Sequence, residues 1–561
     1  MQVERIDDIP VIWDKLDSLE ISNLVDTHFP VHGNRQGASL GSLTCVFLTY
    51  ILSQSDHRLS HVEDWYSTLE NSFRYLTKND SLNRLDFTDD RLGLLLDAFS
   101  EDTHYEAFEE SLNRHIVSVY CLNKDTLNDK TVHLDATIAQ SFKESSDLFS
   151  MGYSKHRRPD LVQIKTMLST IGGLGMPLCV EVVNGATADD VLYLPMIERV
   201  ETTLESKGLL FVGDSKLGST GNRCCIAQKA HYYLTPLSKV QLPHDTLQSL
   251  LASKPDYIAL GEKGEIKAFE TIRSLQEADY QWQERLIGAY SPSYGQRQIA
   301  QFDKHIAQSI EQINCLTVLK QRKTPIKTKE ELQQKITQIV HKLKTTTFLD
   351  IQIQVTSSQT NVRKYKDKPA ETRLKDIFKV MVLPKNELIQ AHKDSLGWRV
   401  YATNAPQELL DIPQAIASYK DEYKVEYRFD QLHNKTAALM PIYLQKDNRI
   451  KALIRLLMVS IKVLSLIEYQ ARETLKNTQS QVKELFPGNP TRKTNKPTAE
   501  MILRAFGNIS LVINELKDNA KHIEVSKLSH SQIYLLKIMG VKHSIYQDFC
   551  NSFLKNNFSE T

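Results

Sequence analysis

The stretch TVHLDATIA, residues 131–139, is short, rich in β-branched residues and alternates apolar with polar side chains, which predicts a β-strand. The segments that follow it have the lengths and periods of further strands and of one helix. In chain order they are LVQIKTMLSTI (161–171), MPLCVEVV (176–183), ADDVLYLPMIERVETTLES (188–206) and GLLFVGDS (208–215). The turn IGGLG joins the first two of these into a hairpin. Strand, hairpin, helix and strand in this order predict an α/β unit.

The chain on either side of this unit is mainly helical in pattern. In residues 1–120, SLGSLTCVFLTYILSQ (39–54) carries apolar side chains at helical spacing. Later, IASYKDEYKVEYRFDQLHNK (416–435) and an apolar segment from Ile450 to about Lys476 also predict helices. A linker with three prolines (485–498) and a helical tail follow them.

Between about 240 and 403, the pattern becomes a mixture of helices and strands. DKHIAQSIEQINCLTVL (303–319) and KEELQQKITQIVHKLK (329–344) have a helical period, whereas LDIQIQV (349–355) and IFKVMVL (377–383) alternate as strands. This part of the chain is therefore expected to be a separate mixed α/β region.

Composition places the chain among ordinary folded proteins. Its 561 residues are 41% hydrophobic and 24% charged, which excludes a disordered tail protein, a collagen-like fibre and a short disulfide scaffold. Lysine and arginine number 69 against 68 aspartate and glutamate, so net charge neither indicates nor excludes a nucleic-acid binder. The seven cysteines form no CxxC pair, which favours a reducing compartment and structural thiols.

No apolar signal core opens the sequence, and its most apolar stretch, ALIRLLMVSIKVLSLI (452–467), is interrupted by Arg455 and Lys462. A membrane-spanning helix needs about 20 apolar residues with few charges. The stretch is therefore predicted to be a buried amphipathic helix. The protein is expected in the cytoplasm, without a membrane partner.

Three acidic residues stand out by position. Asp135 lies inside an apolar strand, where a carboxylate is costly to bury. Asp214 ends a buried strand, at the edge where open α/β sheets collect ligands. Glu426 lies on a predicted helix between Val425 and Tyr427. Carboxylates that converge from strands and a helix suit Mg²⁺ or Mn²⁺, and the alternatives are an acid that caps a turn and a solvated helix face.

Six ordered blocks resemble bacterial insertion-sequence transposases of the DDE class. They are HLDATIA (133–139), GYSKHRRPDLVQIK (152–165), GMPLCVEVVNGATADD (175–190), FVGDSKL (211–217), GWRVYATN (397–404) and YKDEYKVEYRFDQLH (419–433). The later blocks RKTNKPTAEMILRAF (492–506) and LLKIMGVKHSIY (535–546), with the helical N-terminal region, resemble the same transposases. The branch is the IS-four superfamily, whose signature is Y-x2-R-x3-E-x6-K.

This resemblance implies an α/β fold with an RNase H-like catalytic core. Asp135 would lie on its first strand, Asp214 after its fourth strand and Glu426 on a later helix, and the three would hold Mg²⁺, which Mn²⁺ can replace. The resemblance also implies five regions along the chain. They are a helical DNA-binding region (1–120), the first part of the core (125–240), a mixed α/β insertion domain (241–403), the second part of the core with the glutamate helix (404–480), and a linker with a helical C-terminal region (481–561).

The family signature is altered in this sequence. Tyr419 and Glu426 fit its tyrosine and glutamate, but Glu422 stands at the arginine position and His433 at the lysine position. In the family, the two basic residues are thought to grip the phosphates at the element end. Three nearby basic residues are candidates to replace them: Lys424, Arg428 and Lys435.

The resemblance also implies a set of residues that contact DNA. The set is Tyr419, Lys155, Arg157, Arg158, His433 and Lys435. The basic segments KQRKTPIKTK (320–329) and VRKYKDK (362–368) are either a DNA-facing strip or solvated loops. Trp282 and Trp398 either stack on an unpaired base or belong to the core.

Two further polar residues lie in the quoted blocks. His133 is expected on the same strand face as Asp135, either at the site or as a satisfied core histidine. Asn404 either orients the site or caps a turn.

The sequence therefore predicts a DDE transposase that recognises terminal inverted repeats, cleaves phosphodiesters with two divalent metal ions and joins the freed 3′-OH to target DNA. A homodimer on double-stranded DNA, associated with the nucleoid, is the expected assembly. Two alternatives stay open: a Mg²⁺-dependent nuclease without strand transfer, and a non-catalytic DNA-binding protein derived from a transposase.

Overall fold

The computed structural model divides the chain into two compact units. The first unit comprises Met1–Thr235, Gln276–Trp282 and Asn404–Thr561, and the second comprises Pro236–Leu275 and Gln283–Thr403. The structure describes residues 1–31, 33, 36–120, 130–153, 158–173, 175–253, 255–261, 266–318, 326–362, 371–434, 436–515 and 521–549.

The chain begins with a short strand and a run of helices. They are β1 (Gln2–Arg5), α1 (Ile9–Ser18), α2 (Ile21–His28), α3 (Leu40–Gln54), α4 (Val62–Ser67), α5 (Glu70–Thr77), α6 (Asp89–Phe99) and α7 (Asp102–Val119). Ser39 begins α3 by accepting a hydrogen bond from the backbone N–H of Ser42, which satisfies one of the free donors of the first turn. Leu43, Val46 and Phe47 on α3 are fully buried. The helical pattern predicted for residues 1–120 is thus confirmed, with β1 as an addition.

A mixed sheet follows in the first unit. Its strands and helices are β2 (Thr131–Ser141), β3 (Val162–Ile171), β4 (Met176–Asn184), α8 (Asp190–Leu204), β5 (Leu210–Gly213), α9 (Thr220–Gln228) and β6 (Tyr232–Pro236). The strands are adjacent in the order β4-β3-β2-β5-β6. β3 is antiparallel to both β2 and β4, whereas β5 is parallel to both β2 and β6. The predicted order of strand, hairpin, helix and strand is confirmed.

The second unit has its own sheet strands and its own core. Its elements are α10 (His244–Ala252), β7 (Ile258–Leu260), β8 (Ile266–Glu277), β9 (Tyr280–Tyr290), α11 (Pro292–Asn314), α12 (Lys329–Lys342), β10 (Leu349–Val362), β11 (Glu371–Pro384), α13 (Asn386–Ser395) and β12 (Trp398–Thr403), except that residues 276–282 of β8, β9 and their turn belong to the first unit. β10 and β11 form an antiparallel hairpin, and β12, β9, β8 and β7 are adjacent in that order. Phe302, Ile306 and Ile313 of α11 pack with Leu332 and Ile336 of α12 in a buried cluster.

The chain then returns to the first unit. The elements of this last part are α14 (Ile412–Lys420), α15 (Tyr423–Asn434), α16 (Asp447–Asn477), α17 (Ala499–Arg504), β13 (Ser510–Glu515), β14 (Lys521–Val525) and α18 (His530–Ile538). The single helix predicted over residues 416–435 is instead the pair α14 and α15. Asp421 and Glu422 lie at the break, where the side chain of Asp421 accepts a hydrogen bond from Lys424 at 2.7 Å.

The C-terminal region is not entirely helical, so the sequence-based prediction for residues 481–561 is corrected. β13 pairs with β14 and with β1, which joins the two ends of the chain in a three-stranded antiparallel sheet. Leu511 and Ile513 alternate with less buried neighbours on β13, the period of a half-buried strand. Their partners on β1, Glu4 and Gln2, are far away in the sequence, so the local pattern alone did not identify the sheet.

α16 is the long apolar helix predicted from the sequence, but it is not amphipathic. All residues from 452 to 468 are buried. Lys462 donates hydrogen bonds to Asn113 Oδ1 and to the carbonyl of Leu178, and Arg455 donates to the carbonyl of Phe99, so both buried cations are compensated. Among the described residues, no helix is long and apolar enough to cross a membrane.

Candidate active site

Strand register brings Asp135 and Asp214 together. In the parallel pairing of β2 with β5, Leu134 is opposite Gly213, so Asp135 on β2 and Asp214 directly after β5 each follow a residue of this pair. Neighbouring strands are about 4.8 Å apart, and residues at equivalent positions of a parallel pair point to the same face. Both carboxylates are half-buried. Two of the three acids predicted from the sequence are therefore neighbours at the end of β5.

A buried tyrosine that the sequence analysis missed adjoins both aspartates. Tyr193 on α8 is 1% exposed and donates its hydroxyl hydrogen to Oδ1 of Asp214 at 2.8 Å. The backbone N–H of Lys216 donates to the same oxygen, also at 2.8 Å. Burial, with the negative charges of Asp214 and Asp135, raises the pKa of Tyr193 well above its ordinary value. The phenol thus stays protonated and remains a hydrogen-bond donor at neutral pH.

A third acid, Asp189, lies within electrostatic reach of the same tyrosine. Its negative charge also raises the pKa of Tyr193. The Nζ of Lys165 on β3 donates to Asp189 Oδ1 at 2.5 Å and also contacts the carbonyl of Thr187. Lys165 is 9% exposed, so this ion pair fixes the start of α8 against the sheet. The acidic block ATADD was the signal in the sequence for this acid, whereas nothing there identified Lys165.

Glu426 lies on the helix that covers the Asp135 face of β2. His133, Asp135 and Thr137 alternate along the strand and so share one face. His133 Nε2 lies 2.9 Å from the carbonyl oxygen of Ser418, and Thr137 Oγ1 lies 3.2 Å from His433 Nε2 on α15. Glu426 precedes His433 by two helical turns, on the same side of α15.

The three predicted carboxylates do not form a complete metal cage. The side chain of Glu426 is exposed. Among the described residues, no group of three histidine, cysteine, aspartate or glutamate side chains has the arrangement to hold a metal ion. What the residues do provide is a pair of adjacent carboxylates, the oxygen donors that Mg²⁺ and Mn²⁺ prefer.

A buried network fixes α15 in place. Arg428 and Glu468 are 3% and 1% exposed, and Arg428 Nη1 lies 3.3 Å from Glu468 Oε2. Arg428 Nε also donates to the carbonyl of Gly175 in the β3–β4 turn. Glu468 Oε1 accepts from the hydroxyl of Tyr427 at 3.0 Å and from the backbone N–H of Ala499 at 3.1 Å. Arg428 is therefore a core residue, and its predicted role as a replacement phosphate contact is wrong.

The predicted DNA contacts lie at several places. Tyr419 is 9% exposed on α14. The backbone carbonyl of Arg158 accepts a hydrogen bond from the side chain of Gln140. The guanidinium of Arg158 pairs with Asp160 at 2.7 Å, and this hydrogen bond raises the pKa of Arg158. Lys424 donates to Asp421 and to the carbonyl of Gly172. Three predicted contact residues and most of the two basic segments lie outside the described residues: Lys155, Arg157 and Lys435, with 320–325 and 363–368.

The remaining polar and aromatic candidates have structural partners. Asn404 accepts from the backbone N–H of Tyr233 and donates to the carbonyl of His231, so it joins two strands. Trp282 is 7% exposed and donates its indole N–H to the hydroxyl of Tyr233 at 2.9 Å. Trp398 packs against three aromatic rings of the second unit, those of Tyr257, Phe269 and Tyr290. His133 is 1% exposed, and burial lowers its pKa.

Comparisons with known proteins match one domain family to part of the chain and find similar solved structures. A domain of unknown function (DUF4277) matches residues 1–131. No curated protein matches the chain. Among solved structures, the chain is similar to a cryo-EM structure of a piggyBac transposase synaptic complex with hairpin DNA, at 10% identity and a TM-score of 0.34. The alignment covers 98% of this chain and 81% of that chain, and at this TM-score the two need not share a fold.

Proposed function

We propose that the protein is a DNA transposase with an RNase H-like catalytic core, in which Asp135, Asp214 and Glu426 are the catalytic carboxylates. The observation that carries this proposal is the parallel pairing of β2 with β5, which makes Asp135 and Asp214 neighbours at one sheet edge. Asp135 lies on the first strand of that sheet, Asp214 follows the fourth in chain order, and Glu426 lies on a later helix. This agrees with the order of acids that the family resemblance implies.

The proposed cofactor is Mg²⁺, which Mn²⁺ can replace. When bound, such ions activate a water or a 3′-OH and stabilise the leaving oxygen of a phosphodiester. Asp135 and Asp214 would provide the first ligands, and Tyr193 and the Lys216 amide would fix the orientation of the Asp214 carboxylate. Three carboxylates repel one another without a cation between them, so Glu426 is expected to turn towards the pair only when a cation is present.

The proposed partner is double-stranded DNA, namely terminal inverted repeats and a target, bound by a homodimer associated with the nucleoid in the cytoplasm. Arg158 is exposed and, in this proposal, exchanges its partner Asp160 for a phosphate. Lys155, Arg157, Tyr419, His433 and Lys435 are proposed as further contacts. Residues 1–120 are proposed to recognise the repeats.

The test is a cleavage assay with the full-length protein on DNA that carries the flanking inverted repeats, with and without Mg²⁺. Wild type is expected to cut at the repeat ends and to form joined products. Asp135→Asn and Asp214→Asn are expected to bind the DNA and not to cut it. Glu198→Gln, which changes an exposed acid on α8 paired with Lys229, is the matched control and should cut normally.

A second candidate is a non-catalytic DNA-binding protein derived from a transposase. Two observations favour it: the altered signature with Glu422 and His433, and the lack of a three-ligand set among the described residues. Binding of the repeats without cleavage by wild type would establish this candidate. Nicked products without joined products would instead indicate a Mg²⁺-dependent nuclease.

A further inference from the structure

A polar pocket in the first unit is lined by neither Asp135 nor Asp214. It has a volume of about 510 Å³, which is within the range of small-molecule sites. Its walls come from the end of α3, the segment that follows it, α4, and the loop after α15. The residues that the argument uses are Tyr50, Asp56, His57, Arg58, Trp65 and Tyr443.

Aromatic rings form much of the wall. The rings of Tyr50 and Trp65 are 5.1 Å apart, and their planes are inclined by 63°. Tyr443 is 52% exposed, and its ring lies 5.5 Å from that of His57. The exposed tyrosine ring provides a flat, apolar surface on which a planar ligand can stack.

One cation is held in a fixed position at the pocket. Arg58 Nε lies 3.0 Å from both carboxylate oxygens of Asp56, and the guanidinium lies 5.7 Å from the centre of the Tyr443 ring. The hydroxyl of Tyr50 donates to Asp56 at 2.5 Å. Although partial burial opposes it, these hydrogen bonds lower the pKa of Asp56 to about 2. The carboxylate therefore stays ionised and keeps the guanidinium plane in place, next to the ring.

A buried histidine lies in the pocket wall. His57 is 6% exposed, and its Nε2 has no hydrogen-bond partner among the described residues. Burial lowers the pKa of His57, although hydrogen bonds to the backbone of Ala438 and Pro441 oppose this shift. The ring is thus neutral at physiological pH, and the described residues leave part of its hydrogen-bonding capacity unused.

We propose that this pocket binds a nucleobase that carries a phosphate. The base stacks on Tyr443, a polar group of the base edge bonds the His57 ring, and Arg58 contacts the phosphate. The base belongs either to an unpaired nucleotide of DNA or to a free nucleotide. The DNA source rests on the proposed function. It adds to that function a base-binding site whose walls come partly from residues 1–131 and partly from the loop after α15.

The test measures binding in EDTA, so that cation-dependent cleavage has no influence. Calorimetry with 5′-dAMP and anisotropy with a labelled 12-nucleotide single strand and its duplex are applied to the full-length protein. Tyr443→Ala is expected to weaken binding roughly ten- to hundredfold, whereas Tyr443→Phe keeps the ring and the affinity. Arg58→Gln should weaken binding similarly, and Arg297→Gln, which changes an exposed arginine on α11 outside residues 1–120, is the matched control.

Each outcome distinguishes the sources. If the protein binds the single strand more tightly than it binds either dAMP or the duplex, the pocket takes an unpaired DNA base. If it binds dAMP at least as tightly as the single strand, the pocket takes a free nucleotide. Absence of binding to all three probes, or equal affinity of Tyr443→Ala and Tyr443→Phe, overturns the proposal. If wild type binds these probes but never cuts repeat DNA, the catalytic proposal fails while the pocket stands.

Discussion

The hydroxyl of Tyr193 lies 2.8 Å from Oδ1 of Asp214, in a position where two more carboxylates, Asp135 and Asp189, act on it electrostatically. Since burial and these charges keep the phenol protonated, it donates to Asp214 throughout the physiological pH range. The Lys216 amide bonds the same oxygen, so both donors act on Oδ1 of Asp214. Tyr193 is therefore a residue that positions the carboxylate rather than one that reacts.

Tyr193→Phe removes this hydrogen bond and keeps the ring. We expect Mn²⁺ to bind about tenfold more weakly, because loss of a hydrogen bond to a metal-ligating group commonly costs ten- to hundredfold in affinity. The free energy of unfolding should fall by only about 1 kcal/mol. Titration calorimetry with Mn²⁺ and urea unfolding measure the two effects separately.

The matched control is Tyr232→Phe, which removes the hydroxyl of a half-buried tyrosine on β6. It should leave Mn²⁺ affinity unchanged. If Tyr193→Phe also binds Mn²⁺ as wild type does, the hydroxyl does not position Asp214 for a cation.

The contact between Thr137 Oγ1 and His433 Nε2 joins β2 to α15 at 3.2 Å. We expect Thr137→Val and His433→Ala each to destabilise the fold by about 1 kcal/mol and to lower cleavage, because both loosen the helix that carries Glu426. A double-mutant cycle should give a coupling energy of about 0.5–1.5 kcal/mol.

The proposed contact of His433 with DNA adds a second expectation. His433→Ala should weaken binding of repeat DNA more than Thr137→Val does, and equal affinities of the two variants would leave His433 only the structural role. Measured affinities for repeat DNA, together with unfolding curves, decide between the two roles.

The sequence was most informative where local pattern and local structure coincide. Alternation in residues 131–139 and 161–183, with a glycine turn between strands, was enough to predict β2, β3 and β4. An aspartate inside an apolar strand was enough to single out Asp135. The register that makes Asp214 its neighbour is a long-range pairing, and periodicity alone does not determine it.

The features that the sequence did not reveal depend on tertiary contacts. Tyr193 has the spacing of an ordinary core residue of α8, and only the fold brings its hydroxyl to Asp214. The sequence made Arg428 a candidate phosphate contact. Its burial could not be predicted from local pattern, because it depends on Glu468, which is 40 residues away. The break between α14 and α15 falls in a polar segment with no proline or glycine to mark it.

Glu468 and Arg428 form a buried ion pair that holds α15 against α16. Glu468→Gln removes the charge but keeps the shape, and it leaves Arg428 buried without its counter-ion. We expect a loss of about 3 kcal/mol in the free energy of unfolding, measured with urea. The double variant Arg428→Met with Glu468→Leu should be less destabilised than Glu468→Gln, since no buried charge remains. If the double variant has a lower free energy of unfolding than Glu468→Gln, the attraction between the two side chains stabilises the fold by more than the burial of an unpaired charge would cost.

Asp8, at the start of α1, gives a prediction for pH dependence. Burial raises its pKa to about 6, although the hydroxyl of Ser53 donates to it at 2.7 Å, and the charge of Asp7 raises the pKa further. Between pH 4 and 6 the folded protein therefore holds a proton that the unfolded chain has lost, so stability falls as pH rises through this range. The difference from the ordinary value of 3.8 corresponds to a loss of about 3 kcal/mol, complete above pH 6.

Asp8→Asn removes this ionisation, so the variant should match wild type near pH 4 and exceed its free energy of unfolding by up to about 3 kcal/mol at pH 7. Ser53→Ala is the informative partner variant, because loss of the donor raises the pKa of Asp8 further and moves the loss of stability to higher pH. Urea unfolding at pH 4, 5, 6 and 7 measures all three proteins. If the free energies of unfolding of wild type and Asp8→Asn differ by the same amount at all four pH values, water or a local rearrangement solvates the Asp8 carboxylate in the folded protein.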